Sequence, residues 1–558
     1  MANVFPDKIL EGRKLPSLFP PKNLPTFSDV VGGVRFLSGL PRLLRYRVTS
    51  EEAHAALKDR FEHRQANFLA LAKEAIYGFR ESPYLKLLQL AGCEFGDLEA
   101  LVQNEGVEGS LYHLYRKGVY LTVAEAKGRQ PVVRGSAKFE VIPGALAKPG
   151  VATALVGESS GSRGSRTPVP IDLGLEKVRS TEMLLDFEAR TGLDWVRAIW
   201  AVPGAVSLRR VISYTLCGAQ PDRWFSVVNA SDAGIHSRYV WSIRALRLGG
   251  LLAGVHLPRP IHVPLRDPLP IAHWTSQILR SGRTPQLYTY PSCAVRLCQA
   301  ARDASISLRG AQFIIGGEPT TASRLAVIER AGATAQVQYG SVETGTLGRG
   351  CMFRRAPDDL HLMHDKFAVI QPLNVPAPDL PSQALLITSI FLPLAQLILF
   401  NVSLGDQAEV THRSCACPLE KLGWTTHIHT IRSFEKLTAG GMTFYHADLI
   451  RVLEEVLPQK FGGGPTDYQL LEIETANSEP SVRLFVHPRL GPMDPAQVRQ
   501  TFLDAIGAGS GVERVMMLVW RDAGLPIVER EAPRVTGGGK ILHVHLDRPN
   551  RLSVDNAD

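Results

Sequence analysis

The sequence predicts an α/β protein in two unequal parts: a large N-terminal domain of layered sheets and helices, and a small α+β C-terminal unit. Three observations predict this. Between Thr181 and Ala311 helical and strand-like apolar patterns alternate, as they do in layered α/β domains. Past residue 433 shorter strand patterns (Tyr468–Glu474, Val482–Val486, Val515–Val519) alternate with helical ones (Ala447–Leu457, Pro495–Ile506). Phe461-Gly462-Gly463-Gly464-Pro465-Thr466 and the Gly507–Gly511 loop punctuate that second region. Finally, 558 residues with 45% apolar and 21% charged content leave room for a few folding units of ~150 residues. Disordered and coiled-coil chains are excluded by the same figures. The boundary falls at 432/433, giving parts 1–432 and 433–558, with 1–150 largely helical.

Taken in order, residues 1–50 are spotted with proline and carry a basic-apolar segment from Val30 to Val48, with Arg35, Arg42, Arg45 and Arg47. It reads either as a membrane-surface helix or as an amphipathic helix lying on the domain and broken at Gly39-Leu40-Pro41, and the second reading is preferred. Membrane contact is therefore not expected. Ser50 to Gln103 has helical apolar spacing, with Ser50-Glu51-Glu52 as its start. Short β-like runs such as Gln130-Pro131-Val132-Val133 follow between Lys127 and Ala154. The longest uncharged stretch, Leu380 to Gly405, contains Pro393, Gln396 and Asn401 and predicts two buried strands around a proline turn. The N-terminus lacks the charged and apolar regions of a signal peptide, so the cytoplasm is the expected compartment. A net charge of +8, with no Lys/Arg run longer than two, argues against nucleic acid as a partner.

Four motifs carry chemistry. Gly157-Glu158-Ser159-Ser160-Gly161-Ser162-Arg163-Gly164-Ser165-Arg166-Thr167 offers backbone N–H groups and hydroxyls to phosphate oxygens, or else is a flexible linker. It is not a Walker loop, because no Gly-Lys precedes a Ser or Thr. Gly316-Gly317-Glu318-Pro319 follows a strand at Phe313–Ile315, and a helix at Ala322–Ala331 leads to a strand at Ala335–Tyr339. That second strand runs into Tyr339-Gly340-Ser341-Val342-Glu343, where Tyr339 could stack on a base and Glu343 could hold a hard divalent cation. Leu404-Gly405-Asp406 places a carboxylate for ribose hydroxyls, and Thr536-Gly537-Gly538-Gly539-Lys540 puts one cation on a glycine loop.

The order of these motifs closely resembles the acyl-adenylate-forming superfamily, which includes acyl-CoA synthetases, luciferases and peptide-synthetase adenylation domains. Within it the phenylacetate–CoA ligase branch is the most similar. That branch is suggested by Tyr290-Pro291-Ser292, the Gly-Gly-Glu-Pro start, Leu360-His361-Leu362 with Asp365, and Cys415-Ala416-Cys417-Pro418. The resemblance spans roughly residues 155–540. It implies that Ser160, Gly161, Ser162, Gly164 and Thr167 embrace the pyrophosphate of ATP, and that Gly316, Gly317 and Glu318 flank the adenine and the carboxylate tunnel. It also implies that Tyr339 and Gly340 border the adenine, that Glu343 binds Mg²⁺, and that Asp406 and Arg432 hold the ribose. Lys540, on a small mobile domain, is the expected catalytic lysine. His236, Tyr239 and Tyr290 are the expected acyl-pocket residues.

The implied reaction is adenylation of an aryl or fatty acid, followed by transfer to CoA. Delivery to a carrier-protein or protein thiol is an alternative, and a non-catalytic nucleotide-binding relative is another. The chain departs from the family at several points: Ser162-Arg163 replaces part of the usual Thr/Lys loop, Asn401-Val402-Ser403-Leu404 precedes Gly405-Asp406, and Ser433-Phe434-Glu435-Lys436 occupies the hinge.

Seven cysteines are too sparse and odd a set for a disulfide framework, and five of them fall between Cys293 and Cys417. Cys351, Cys415 and Cys417 with His361 or His364 could form a structural Zn²⁺ site, the alternative being free thiols. Two cysteines one residue apart on a straight strand stand ~7 Å apart, so both can ligate only if the chain bends there.

Overall fold

The computed structural model describes residues 38–148, 155–158, 168–171, 173–228, 237–373, 377, 380–434, 438–439, 442–443, 447–474, 480–508, 517–518, 520–536 and 538–547. Its main feature is a twelve-stranded sheet. Six strands are β1 (Val196–Ala201), β2 (Arg223–Ser226), β3 (Pro260–His262), β4 (Pro285–Thr289), β5 (Gln312–Gly316) and β6 (Thr334–Ser341). These are parallel, in the order β3-β2-β1-β4-β5-β6. Every residue of β1 and β4 is buried, including the polar Arg197, Gln286 and Thr289, as expected of strands covered on both faces. The remaining six are β7 (Gly345–Gly350), β8 (Leu360–Leu362), β9 (Phe367–Ile370), β10 (Ala384–Ser389), β11 (Val402–His412) and β12 (Thr426–Ser433). They continue the sheet from β6 as β7-β8-β12-β11-β10-β9, all antiparallel.

The strand order sets the site. The chain winds outward in one direction through β1, β2 and β3, then in the other through β4, β5 and β6. A crevice therefore opens beyond the carboxyl ends of β1 and β4, where open α/β sheets take their ligands. Helices Leu173–Ala189, Ala205–Leu216, Pro291–Asp303 and Ala322–Arg330 cover this half of the sheet.

The N-terminal region is helical as expected, with Ser50–Glu62 capped by Thr49, whose hydroxyl accepts from the Glu52 N–H at 3.2 Å. Residues 38–45 are helical with Pro41 in the first turn, and Leu40 and Leu44 are fully buried. Arg45 donates to the Leu252 carbonyl at 2.6 Å, so this described part of the basic segment lies on the domain. Leu380–Gly405 holds β10, a 3₁₀ turn at Leu392–Leu394 and the start of β11. Among the described residues no helix is long and apolar enough to cross a membrane.

The C-terminal unit has its own core, including Leu453, Leu484, Phe502 and Trp520. Its four strands lie in the order Ile527–Glu529, Pro480–Val486, Tyr468–Glu474, Val544–Asp547. One expectation fails here. The strand expected at Val515–Val519 is not one: residues 517, 518 and 520–522 are helical. Met517 closes on Gly507, and three residues later Trp520 stacks on Phe502 at 6.4 Å. That is helical spacing against the Pro495–Gly507 helix, which a short apolar run does not distinguish from a strand.

Candidate active site

The segment Gly538–Lys540 lies across the strand ends at the crevice. Gly539 packs so closely that a Cβ there would stand 2.7 Å from Val227, 3.4 Å from Val202 and 3.6 Å from Tyr290. These are the residues that follow β2, β1 and β4. The Lys540 ammonium is 5.4 Å from the centre of the Tyr290 ring and close above Gly317. Position 317 favours glycine through its φ of +80°, and a Cβ there would press on the Lys540 side chain, with Nζ at 3.1 Å. A small loop holds the lysine in place. The Lys540 N–H donates to Thr536 Oγ1 at 3.1 Å, and the Thr536 N–H donates to the Lys540 carbonyl at 2.9 Å.

Glu318 behaves differently from its expected place beside adenine. Its buried carboxylate accepts from the Ser292 N–H (2.9 Å), Ser292 Oγ (2.8 Å), Arg324 Nη1 (2.9 Å) and the Ile541 N–H (3.0 Å). All four lone-pair positions are used by the protein. Glu318 thus ties the residue after Lys540 to the ends of β4 and β5. A second buried carboxylate extends this joint: Glu454 accepts from Thr321, from Arg324 Nε at 2.8 Å and from His543 at 2.6 Å. Burial pushes the Glu454 carboxyl up, but Arg324 and His543 outweigh it and hold it below the ordinary range. Nothing in the spacing of Arg324, Glu454 and His543 announces this network. Arg324 and Glu454 lie in helices and His543 just before the strand Val544–Asp547, and nothing in their sequence surroundings sets them apart.

The sheet brings Tyr339 and Asp406 together across 67 positions, with the Tyr339 hydroxyl donating to Asp406 Oδ2 at 2.8 Å. Burial, followed by the Asp406 charge, pushes the Tyr339 phenol well above its ordinary value, so it remains a donor. Gly340 sits at a bulge opposite β7, where a Cβ would meet the Gly345 carbonyl at 2.0 Å. Arg432 does not join this group. It pairs with Gln407 in the sheet register, whereas Asp406 pairs with Ser433, so the two side chains leave opposite faces. Its guanidinium is taken by Asp358 at 3.0 Å. The expected ribose contact of Arg432 is therefore not supported by this geometry.

Glu343 is half-buried in the turn after β6, against a small cavity shared with Lys127, Ser403 and Leu404. Tyr290 is in place beneath Lys540. Tyr239 lies in the helix Ser237–Ala253. Ser160, Gly161, Ser162, Gly164, Thr167 and His236 lie outside the described residues.

The cysteine–histidine cluster is assembled around β8 and β12: Cys351 follows β7, His361 lies in β8, Cys415 and Cys417 lie between β11 and β12, and His427 lies in β12. Ligand atoms of Cys351, His361, Cys415 and His427 all lie within 4.8 Å of one another. Cys417 Sγ is 3.0 Å and Cys415 Sγ 3.6 Å from His361 Nε2. The chain makes the required bend: Ala416 has φ +58°, which turns both cysteines inward. His364 is elsewhere, edge-on to Phe61 at 5.1 Å, so His361 is the histidine of the expected set. His427 was not anticipated; it is the cross-strand partner of His361. His361 Nδ1 faces the Trp424 carbonyl at 2.6 Å and His427 Nδ1 faces Asp359 at 2.8 Å. Both Nε2 atoms are thereby turned to the cluster, and that of His427 is buried without a partner. Hydrogen bonding from Cys351, then from His361, lowers the Cys417 thiol toward thiolate. Tetrahedral Zn²⁺, with Zn–S of ~2.3 Å and Zn–N of ~2.0 Å, needs ligands at about these separations. The residues fit the ion.

No family model matches the chain, and no curated protein matches it. Among solved structures it is similar to 2-hydroxyisobutyryl-CoA ligase in complex with 2-HIB-AMP and CoA, at 14% identity over 92% of this chain and 90% of that one, TM-score 0.40. It is also similar to ATP-bound MatB from Rhodopseudomonas palustris, at 16% identity over 72% and 69% of the two chains, TM-score 0.39. A third is the anthranilate CoA ligase AuaEII in complex with anthranoyl-AMP, at 13% identity over 69% and 65%, TM-score 0.39.

Proposed function

We propose that this chain is an AMP-forming carboxylate ligase: it adenylates a carboxylic acid with ATP and passes the acyl group to a thiol, that of CoA in the first instance. The observation that carries this reading is the meeting of distant motifs at one crevice. Lys540 stands over Gly317 and Tyr290 at the switch point, more than 200 residues away in sequence. At the end of β6, the strand next to β5, Tyr339 holds Asp406 of β11. A cation above a strand-end glycine suits an in-line displacement at phosphorus, where positioning and charge neutralisation supply most of the rate. In this reading the segment Ser160–Thr167 takes the pyrophosphate and Asp406 the ribose, Tyr339 borders the adenine, and Glu343 holds Mg²⁺ against the phosphates. The carboxylate of Glu318 serves as the joint that sets Lys540.

Acid-dependent exchange of pyrophosphate into ATP tests the reading, with AMP and pyrophosphate as the products. Acid-dependent formation of ADP would rule it out. Glu343→Gln is expected to raise the Mg²⁺ concentration needed for half-maximal exchange, because a neutral amide is a poorer ligand for a hard cation. Side-by-side trials with CoA and a carrier-protein phosphopantetheine identify the thiol. The cysteine–histidine cluster is, in the same proposal, a closed structural Zn²⁺ site built from Cys351, Cys415, Cys417, His361 and His427. It offers five ligands for four positions.

A further inference from the structure

The helix Ser237–Ala253, between β2 and β3 in the chain, is apolar on two sides. Ile243 and Leu246 are buried on the domain side, with Gly249 and Gly250 beside them. The two glycines let neighbours approach closely. A Cβ on Gly249 would stand 2.5 Å from Leu40 Cδ2, where the helix of residues 38–45 crosses, and one on Gly250 would stand 2.8 Å from the Val255 carbonyl. On the other side, Trp241, Arg244, Leu248, Leu251 and Leu252 fall within an arc of about 100° at ~3.6 residues per turn. All five are exposed, Leu251 by 66% and Leu252 by 56%. A helix that is apolar all round is ordinarily covered all round, so the outer face of this one calls for a partner.

The charges around this face have one sign. Residues 38–47 and Ser237–Ala253 together contain six arginines and no lysine, aspartate or glutamate. Leu40 and Leu44 turn inward, which leaves Arg42, Arg45 and Arg47 exposed. Arg45 Nη2 donates to the Leu252 carbonyl at 2.6 Å, so the basic segment lies beside the exposed leucines. At the far end of the stripe the Arg244 guanidinium is 5.4 Å from the centre of the Trp241 ring. Leucines flanked by arginines, with a tryptophan at one end, suit the headgroup layer of a bilayer. There the leucines enter the acyl boundary, the arginine stems lie along it with their charges at the phosphates, and the indole stays at the interface.

We propose that this face is a docking surface for an anionic lipid bilayer, on which the chain rests without crossing it. The basic segment alone does not predict membrane contact, because it lies on the domain; the packing puts its arginines and the leucines of Ser237–Ala253 on one outward face. Charge selects the occupant. A second copy of the face would set arginine against arginine across a two-fold axis. Residues 1–37 carry five basic and three acidic side chains and supply no net counter-charge. An anionic bilayer offers both the apolar layer and the negative charge. The proposal is independent of the ligase reading.

Flotation of the full chain with vesicles tests this. The chain is expected to float with phosphatidylcholine vesicles containing about one third phosphatidylglycerol, much less with phosphatidylcholine alone, and less again in high salt. Leu248→Gln with Leu251→Gln is expected to weaken binding on the order of tenfold or more, and Arg42→Gln with Arg244→Gln about thirtyfold. Both pairs are exposed, so the melting temperature should stay in place and separate lost binding from lost folding. A chain that stays in solution with anionic vesicles, one that floats equally with both kinds, or substitutions that leave flotation intact would overturn the proposal. If the chain stays in solution, its sedimentation alone reassigns the face. A dimer dissolved by Leu248→Gln with Leu251→Gln gives it to a second copy. A monomer whose melting temperature the pair lowers gives it to residues 1–37, and a monomer that the pair leaves unchanged gives it to an acidic protein.

Discussion

Lys540 illustrates how much a single residue can depend on its neighbours. The ammonium is useful only because Gly317 has no side chain, Tyr290 presents a ring face below it, and Ile541 is anchored to Glu318. Lys540→Ala is expected to lose about a hundredfold or more in adenylation, the cost of removing one preorganised charge-stabilising donor. Transfer from a supplied acyl-adenylate to the thiol should be affected far less. The two half-reactions measured separately check this, and equal loss in both would mean that the lysine acts through folding. Glu318 carries the complementary lesson. It looks like a ligand-facing carboxylate in the sequence, yet four donors from three segments of the chain consume it.

Among the elements, the antiparallel extension β7–β12 is the one whose stability turns on a local device. Cys415-Ala416-Cys417 bends through a left-handed Ala416, and the turn also receives Glu420, whose carboxylate accepts from the Cys415 N–H at 2.9 Å. A non-glycine residue in that region is strained by roughly 1–2 kcal/mol, so something must hold it there. Zn²⁺ would do so. Metal analysis of protein purified without chelators is expected to find one zinc per chain. Cys415→Ser should lower the melting temperature well before it lowers exchange measured at low temperature; a chain with no zinc and an unaltered melting temperature would dismiss the site. The strand expected at Val515–Val519 shows the opposite case, where local pattern misleads. Its apolar residues obey the helix spacing that Phe502 and Gly507 impose.

At the scale of the whole molecule, the two parts are joined by buried charge. The C-terminal unit contributes Glu454, His543 and the Ile541 N–H; the large part contributes Thr321, Arg324 and Glu318. Parting the two units would strand Glu454 or Arg324, and breaking a buried pair of this kind costs about 3–5 kcal/mol. Burial, then the Arg324 charge, holds His543 below the usual histidine range, against the pull of Glu454. The unfolded or undocked chain therefore binds the proton first as pH falls through ~6.5, and stability drops below that point. Glu454, held below its ordinary value, adds a second loss at lower pH, once its carboxylate begins to protonate in the unfolded chain near ~4.3. Hydrogen exchange at the Ala322–Arg330 helix is expected to rise between pH 6.5 and 5. His543→Gln should flatten that rise, and an unchanged profile in the variant would assign it elsewhere.

Much of this protein is legible in its residues alone. The alternation between Thr181 and Ala311 specifies a layered α/β domain, because short strands rich in apolar residues and the amphipathic helices between them can bury their apolar faces only against one another. Gly316-Gly317, Tyr339-Gly340 and Gly539-Lys540 are readable because chain conformation at a glycine is a local property. What no local pattern contains is which distant segments meet. Asp406 and Arg432 look equivalent in the sequence, yet the β11–β12 register sends them to opposite faces. His427 became a member of the metal cluster only through its pairing with His361, and Arg210 faces Tyr288 and Gln338 only because a helix crosses two strands. Periodicity decides which face of an element is buried; the closing of the sheet decides what that face touches, and charge pairing and ligand recognition depend on the second.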